Sequence, residues 1–208
     1  DSRLNIQDHS GVPSVVNWLD VGCGEGTLLQ RIALQGWRVR GVERFPHLAR
    51  ERGLTVFDSL EQAASEGPYD GVSLWHVLEH LADPAKTLSE IHSLLDPDGV
   101  LIIAAPDAGS FAARWFGPHW MHWDVPRHLF HFSRDSLCRL LCDCGFDSRQ
   151  LAVSEFEYDL MGFGQSVLNR LGMRQNMFFR ILTGRRVPLS PLAKCMHLVF
   201  GASICAIA

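Results

Sequence analysis

Apolar and polar positions alternate along the chain in blocks: short apolar runs, then stretches with apolar residues at helical spacing. Val15–Val21 (VVNWLDV) is an apolar run stopped by Gly22 and reads as a buried strand. After Gly26, the residues Leu28, Leu29, Ile32 and Ala33 recur at helical spacing until Gly36 ends the pattern. Trp37–Glu43 predicts a second strand, His47–Gly53 a short helix, Thr55–Asp58 a third strand and Tyr69–His76 a fourth. Pro84–Leu95 reads as a helix closed by the turn Asp96-Pro97-Asp98-Gly99, and Val100–Ala105 (VLIIAA) as a strand buried on both faces. A helix over Ser133–Cys144 ends at Gly145; a strand within Asp147–Tyr158 and a last one at Ser203–Ala208 follow. Strands alternating with helices predict an α/β fold, a doubly wound and mostly parallel sheet, in a single domain over residues 1–208.

Charge adds an asymmetry. From Leu160 onward there is no Asp or Glu, and Arg170, Arg174, Arg180, Arg185, Arg186 and Lys194 give +6, so residues 1–159 carry −10 and the whole chain −4. Residues 159–200 are therefore expected to be a basic helical insertion between the last two strands, broken at Gly172, Gly184, Pro188 and Pro191. Met161, Phe163, Val167, Leu168 and Leu171 would dock it on the sheet, and residues 160–200 would offer an anionic lipid or membrane surface a contact. The net negative charge argues against a nucleic-acid partner. Six cysteines without a paired CxxC imply neither a disulfide framework nor a zinc site; Cys138, Cys142 and Cys144 read as small apolar residues packed into a helix. No signal peptide is expected, and Leu198–Ala208 is too short to span a bilayer, which points to the cytoplasm. Oligomeric state has no signature in the sequence.

The chemistry concentrates at strand ends, where open α/β sheets bind ligands. The first strand runs into Asp20-Val21-Gly22-Cys23-Gly24-Glu25-Gly26, whose alternate glycines allow a sharp turn and close approach of a ligand. A dinucleotide fingerprint needs its third glycine where Thr27 stands, and Glu25 would repel a diphosphate, so the turn suits a ligand without phosphate. Glu43 ends the second strand about twenty residues later, where a carboxylate accepts ribose hydroxyls. Asp58 ends the third, either as a solvated strand-end acid or as an acceptor for an adenine amino group.

In this order, LDVGCGEGTLL, GVE, FDSL, YDGVSLWHVLEHLADP and LLDPDGVLIIAAPD resemble a class I S-adenosylmethionine-dependent methyltransferase over about Val15 to Asp107. WDVPRHLFHFSRDSLCRLLCDCGF resembles the broad methyltransferase-domain group that includes the ubiquinone-biosynthesis O-methyltransferases. The resemblance implies S-adenosylmethionine as cofactor and a seven-stranded Rossmann-like sheet with a final antiparallel hairpin. It implies a cofactor-binding set of Asp20, Gly22, Cys23, Gly24, Glu43, Arg44, Asp58, Ser59, Trp75 and His76, with Asp20, Gly22 and Gly24 at the methionine end. The family carries helices before its first strand; residues 1–14 are too few for them, so the expectation is a chain without that lid.

Methyl transfer from a sulfonium demands alignment and exclusion of water, and an oxygen acceptor must also lose a proton. His128, His131 and His80 are the candidate bases, the first two in an aromatic loop, Phe116–Phe132, that would wall the acceptor site. Helical spacing would also put His76, Glu79 and His80 on one side as metal ligands; the alternative is that Glu79 and His80 only tie down the neighbouring loop. The expected reaction is O-methylation of a small-molecule, sugar or lipid-like acceptor. A cofactor-binding module without catalysis and an NAD-dependent oxidoreductase are the alternatives.

Overall fold

The chain is described by a computed structural model at residues 15–147, 149–151, 156–173 and 203–207. It divides into two units, residues 1–75 with 86–102, and residues 76–85 with 103–208.

In the first unit, β1 (Asn17–Val21), β2 (Arg38–Val42) and β4 (Tyr69–Trp75) lie parallel, with β3 (Val56–Phe57) parallel to β2. The strand order is β3-β2-β1-β4-β5, in which β5 spans Leu95–Pro106 and runs from the first unit into the second. Helix α1 (Thr27–Ala33) follows β1, α2 (His47–Glu51) follows β2, α3 (Leu60–Ala63) follows β3, and α4 (Pro84–Leu94) leads into β5. The strands are apolar runs because they are covered: Leu19, Val72, Leu74, Leu101 and Ile103 are fully buried. Each such side chain contributes about 1.5–3 kcal/mol of burial. Cys23, Leu29, Ala49 and Val56 form a core cluster, with Val39 and Leu54 packed on it.

Gly26 caps α1 at φ +77°, without a side-chain cap; a methyl group there would overlap Leu54. β5 starts at Leu95, ahead of the expected turn at residues 96–99. Asp96 Oδ1 still accepts the Asp98 N–H at 3.2 Å, and the crowding of Gly99 by the Asp96 and Tyr69 carbonyls (2.9 Å to a built Cβ) shows why only glycine fits there.

In the second unit, α5 (Phe111–Phe116) begins at Ser110, whose hydroxyl accepts the Ala113 N–H, and stops at Gly117. Helix α6 (Arg134–Asp143) opens on a capping box between Ser133 and Ser136 and stops before Gly145, at φ +92°. Its buried face is Leu137 and Leu141; Cys142 is exposed and Cys138 and Cys144 are half-buried, so the core face is made by the leucines rather than by the cysteines. Two short strands, β6 (Arg149–Leu151) and β7 (Ser203–Ile207), flank α7 (Phe156–Arg170) in sequence.

Helix α7 starts three residues before the expected insertion. It packs on α5 and the aromatic loop, with Phe163 against the cluster Ala112, Ala113, Phe116 and Trp120. Of the expected docking face, Phe163 packs as its spacing predicts, while Val167 and Leu171 are exposed and the polar Gln165 and Ser166 are buried. Hydrogen bonds add to this seat: Ser166 Oγ accepts the Met121 N–H at 2.8 Å and donates to the Gly162 carbonyl at 2.6 Å. The rest of the basic segment, with Arg174, Arg180, Arg185, Arg186 and Lys194, lies outside the described residues. No described helix is long and apolar enough to cross a membrane.

Candidate functional site

In the first unit, the parallel register of β1 and β4 sets Asp20 beside Ser73 at the strand ends. Ser73 Oγ accepts the Trp18 indole N–H at 2.9 Å and donates to Asp20 Oδ1 at 2.7 Å. All three residues are buried. Burial pushes the Asp20 carboxyl up to about 7, the Ser73 hydrogen bond pulls it back, and the Glu43 charge raises it again. At the turn beyond it, Gly22, Gly24 and Gly26 all have positive φ, which explains the alternate glycines. A Cβ built on Gly24 meets nothing within 4 Å, so the turn backbone faces open space.

Glu43, just past β2, spans this turn. Its Oε2 accepts the Gly24 N–H at 2.9 Å and its Oε1 the Phe45 N–H at 3.1 Å. Each oxygen keeps a lone pair for a further donor. Cys23 is buried with its thiol pushed up to about 12, first by burial and then by Asp20 and Glu43, so it is a packing residue of the turn. Arg44 is exposed, its guanidinium 5.6 Å from the Phe45 ring centroid. Asp58 is exposed and pairs with Arg50 at 3.2 Å, and Ser59 caps α3 by accepting the Gln62 N–H. Trp75, ending β4, has a buried indole nitrogen with no hydrogen-bond partner. The residues fit a nucleoside carrying a cationic amino-acid tail: an acid deep at β1, an acid with spare lone pairs at β2, and an open glycine turn. The Gly22 and Cys23 N–H groups are taken by the Val42 carbonyl, that of Gly24 by Glu43 and that of Gly26 by the Cys23 carbonyl, which leaves the turn poorly supplied with donors for a phosphate.

The second unit, taken by itself, holds a cavity of about 180 Å³ lined by His76, Glu79, His80, Met121, His122, Asp124, Arg127 and His128. His76 leaves the strand at φ +52°, its N–H held by the Ala104 carbonyl at 2.8 Å. Only Leu78–His80 forms a helical turn, yet His76 still lines this cavity, its Nδ1 3.5 Å from Glu79 Oε1. The group whose donor atoms converge is Glu79, His80 and His128, all within 4.8 Å of one another, with His128 taking the place given to His76. The Leu129 and Phe130 N–H groups both bond the Glu79 carbonyl, at 2.8 and 3.2 Å, and tie the aromatic loop to that turn.

His80 Nδ1 is 2.9 Å from the Arg127 carbonyl, and His128 Nδ1 is 2.7 Å from the His122 carbonyl. A carbonyl only accepts, so both Nδ1 atoms carry hydrogen; in a neutral ring, Nε2 is then the free base. Burial lowers the His128 imidazole, and burial with His76 and His128 nearby lowers that of His122 to about 3. His131 is exposed, stacks edge-on to Trp123 and has Nε2 2.8 Å from the Trp123 carbonyl; it is not among the residues lining the cavity. Of the three base candidates, the structure brings His80 and His128 together and leaves His131 aside.

Ser73, Trp18 and Asp124 have no signature in the sequence pattern. A serine inside the apolar run of β4 is the one visible signal for the first two. The place of Asp124 depends on how the aromatic loop closes on itself.

Residues 5–151 match the family described as a methyltransferase domain. The chain is 30% identical over 134 residues to a ubiquinone biosynthesis O-methyltransferase of Xanthomonas axonopodis pv. citri, covering 58% of this chain and 56% of that protein. It is 33% identical over 98 residues to the protein of the same description in Xylella fastidiosa strain M23, covering 41% and 40%. The chain thus spans about half the length, or less, of the curated relatives it matches. Among solved structures, a SAM-dependent methyltransferase from Archaeoglobus fulgidus shares the fold at TM-score 0.58 and 18% identity, covering 94% of this chain and 86% of that one. Magnesium protoporphyrin IX methyltransferase from Synechocystis, solved with bound SAH, does so at TM-score 0.54 and 22% identity, covering 68% and 69%.

Proposed function

This chain belongs to the methyltransferase-domain family, and we propose that it binds S-adenosylmethionine and transfers its methyl group to an oxygen of a small acceptor. The observation that carries the reading is the pair of acids at adjacent strand ends around a glycine turn open to a ligand. Asp20 faces the cationic methionine end, with Gly22 and Gly24 beside it. Glu43 accepts the ribose hydroxyls with its spare lone pairs, and Trp75 offers its unpartnered indole N–H. Asp58 and Ser59 border the adenine end and Arg44 flanks the ribose side. A neutral His128 or His80 takes the acceptor's proton through Nε2. An oxygen acceptor is supported by the O-methyltransferase relatives, and their quinone pathway makes a phenol or another small or lipid-like molecule the substrate class to screen.

The sheet belongs to the same reading: seven strands, order β3-β2-β1-β4-β5-β7-β6, closing on an antiparallel hairpin. It is supported by the pairing of Arg149–Leu151 with Ser203–Ile207, Arg149 opposite Ile207. The whole chain then forms one methyltransferase domain, its basic segment from residue 159 on resting against an anionic lipid or membrane surface. A cytoplasmic setting goes with the free thiols of Cys23, Cys138, Cys142 and Cys144.

Calorimetric titration with S-adenosylmethionine and, separately, NADH tests the cofactor. Binding of the sulfonium compound alone is expected. Binding of NADH alone would transfer the chain to the oxidoreductase class. Tight cofactor binding without turnover on any phenolic, sugar or lipid-like acceptor would leave a binding module.

A further inference from the structure

We propose that Arg50 and Arg52 are positioning residues for the cofactor, two arms by which α2 holds the Asp58 loop and the glycine turn in binding geometry, a role that rests on the cofactor placement proposed above. The helix itself is fixed from below, since Ala49 is fully buried in the cluster with Cys23, Leu29 and Val56. Its arginines then reach in two directions. Arg50 donates to the Val56 carbonyl from Nε at 3.1 Å and Nη2 at 2.8 Å, and from Nη2 to Asp58 Oδ1 at 3.2 Å. β3 is the outermost strand: the Thr55 and Phe57 carbonyls bond Gly41 and Glu43 beside it, so the Val56 carbonyl points off the sheet and is met by the guanidinium instead. Asp58 is held at a second point, its N–H donating to Gln62 Oε1 at 3.1 Å. Arg52, the residue after α2, donates from Nη1 to the Glu25 carbonyl at 3.0 Å and Thr27 Oγ1 at 3.3 Å, and from Nη2 to Glu25 Oε2 at 2.6 Å. Leu54 adds an apolar stop, its Cδ1 2.1 Å from a Cβ built on Gly26. The turn is thereby gripped on both flanks, by Glu43 at Gly24 and by Arg52 at Glu25 and Thr27.

Both ion pairs are partly exposed, and pairs of that kind contribute little to global stability. Each guanidinium nevertheless bonds a main-chain carbonyl as well as a carboxylate, a use of the planar five-donor fork that a lysine ammonium does not reproduce. What these contacts fix is local geometry, and a loop ordered before the ligand arrives spares binding the cost of ordering it. At Asp58 the effect is directional: Arg50 occupies Oδ1, and Oδ2 is left for the adenine amino group. A carboxylate held in that place repels a carbonyl at the same position of the base, and one free to swing away discriminates less.

The test titrates the full chain with S-adenosylhomocysteine and with S-inosylhomocysteine, which carries a carbonyl in place of the adenine amino group. Arg52→Ala is expected to weaken both ligands about 3- to 10-fold, the worth of one net hydrogen bond, with their ratio unchanged. Arg50→Ala is expected to shrink the preference for the adenosyl compound by a factor of the same size. Hydrogen exchange of the ligand-free chain reads the clamp without any cofactor. Faster exchange is expected over residues 22–30 in Arg52→Ala and over residues 55–62 in Arg50→Ala, at urea midpoints close to the wild type. Where an alanine variant loses its fold, Arg50→Lys or Arg52→Lys takes its place, keeping the charge without the fork. Wild-type binding with less than about a 3-fold loss in Arg52→Ala, an unchanged ligand ratio in Arg50→Ala, or unchanged exchange in either variant would overturn the proposal alone. A wild-type chain that binds neither compound would overturn the cofactor placement, and the proposal with it.

Discussion

Replacing Ser73 by alanine removes one hydroxyl and strands two buried groups. Its oxygen is the acceptor for the Trp18 indole N–H at 2.9 Å, and its hydrogen goes to Asp20 at 2.7 Å. Neither group has water to turn to, since Trp18 is 4% exposed, Asp20 3% and Ser73 0%. An unsatisfied buried donor costs about 1–3 kcal/mol, and a lost hydrogen bond to a charged group about 1.5–3 kcal/mol. The two losses share one site and do not add fully. The expected destabilisation is therefore roughly 2–5 kcal/mol, or about 5–15 °C in Tm for a chain of this size. Urea unfolding at pH 8, followed by tryptophan fluorescence, measures it, with an unchanged m-value as the check that both states are comparable. The Ser73 hydroxyl also opposes the upward shift of Asp20, so its removal raises that carboxyl further and weakens S-adenosylmethionine binding at neutral pH. A loss below about 0.5 kcal/mol, the size of an ordinary surface substitution, would refute the three-residue relay.

Asp20 makes cofactor affinity pH-dependent: with its carboxyl near 7, ionisation between pH 6 and 8 strengthens binding of a cation by roughly tenfold, one proton being linked. Titrations across that range should show the rise in the wild type and a flat profile in Asp20→Asn; a rise that persists in the variant contradicts the assignment. The sign reverses for folding. A carboxyl raised above its unfolded value favours the native state below about pH 4, and that contribution is lost as pH rises through about 7. Asp20→Asn should accordingly lose less stability than the wild type between pH 5 and pH 8, as urea midpoints at the two pH values would reveal. A methyl group on Gly162 would overlap the buried His122 ring, so Gly162→Ala should lower stability by about 1–3 kcal/mol; an unchanged melting temperature would show that α7 does not seat on that ring.

The strand–turn–helix at Val15–Gly36 and the strand-end acids were legible because each depends on local rules: an apolar run, glycines at positive φ, a carboxylate closing a strand. The histidine cluster was legible only in part. Spacing suggested His76 with Glu79 and His80, but a helical spacing argument presumes a helix, and His76 at φ +52° is not in one. His128 reaches the site from a loop whose path is set by its N–H bonds to the Glu79 carbonyl, a pairing that no local pattern encodes. Ser73 likewise acquires its role from the register of β1 and β4. The docking of α7 is legible in Phe163, which packs on Phe116, but not in the polar Gln165 and Ser166 or in Gly162, whose burial depends on hydrogen bonds and close packing with the aromatic loop. Cys142 went the same way: Leu137 and Leu141 were sufficient to cover the helix's inner side.

The carboxylate of Glu43 bridges the glycine turn and is the group on which cofactor binding depends most. Titrating the wild-type chain and Glu43→Ala side by side with S-adenosylmethionine tests it most directly. Losing two charge-assisted acceptors for the ribose should cost about 3 kcal/mol, a drop in affinity on the order of 100-fold, with the fold retained by circular dichroism. Equal affinity in the two proteins would contradict the placement of the cofactor at this strand end.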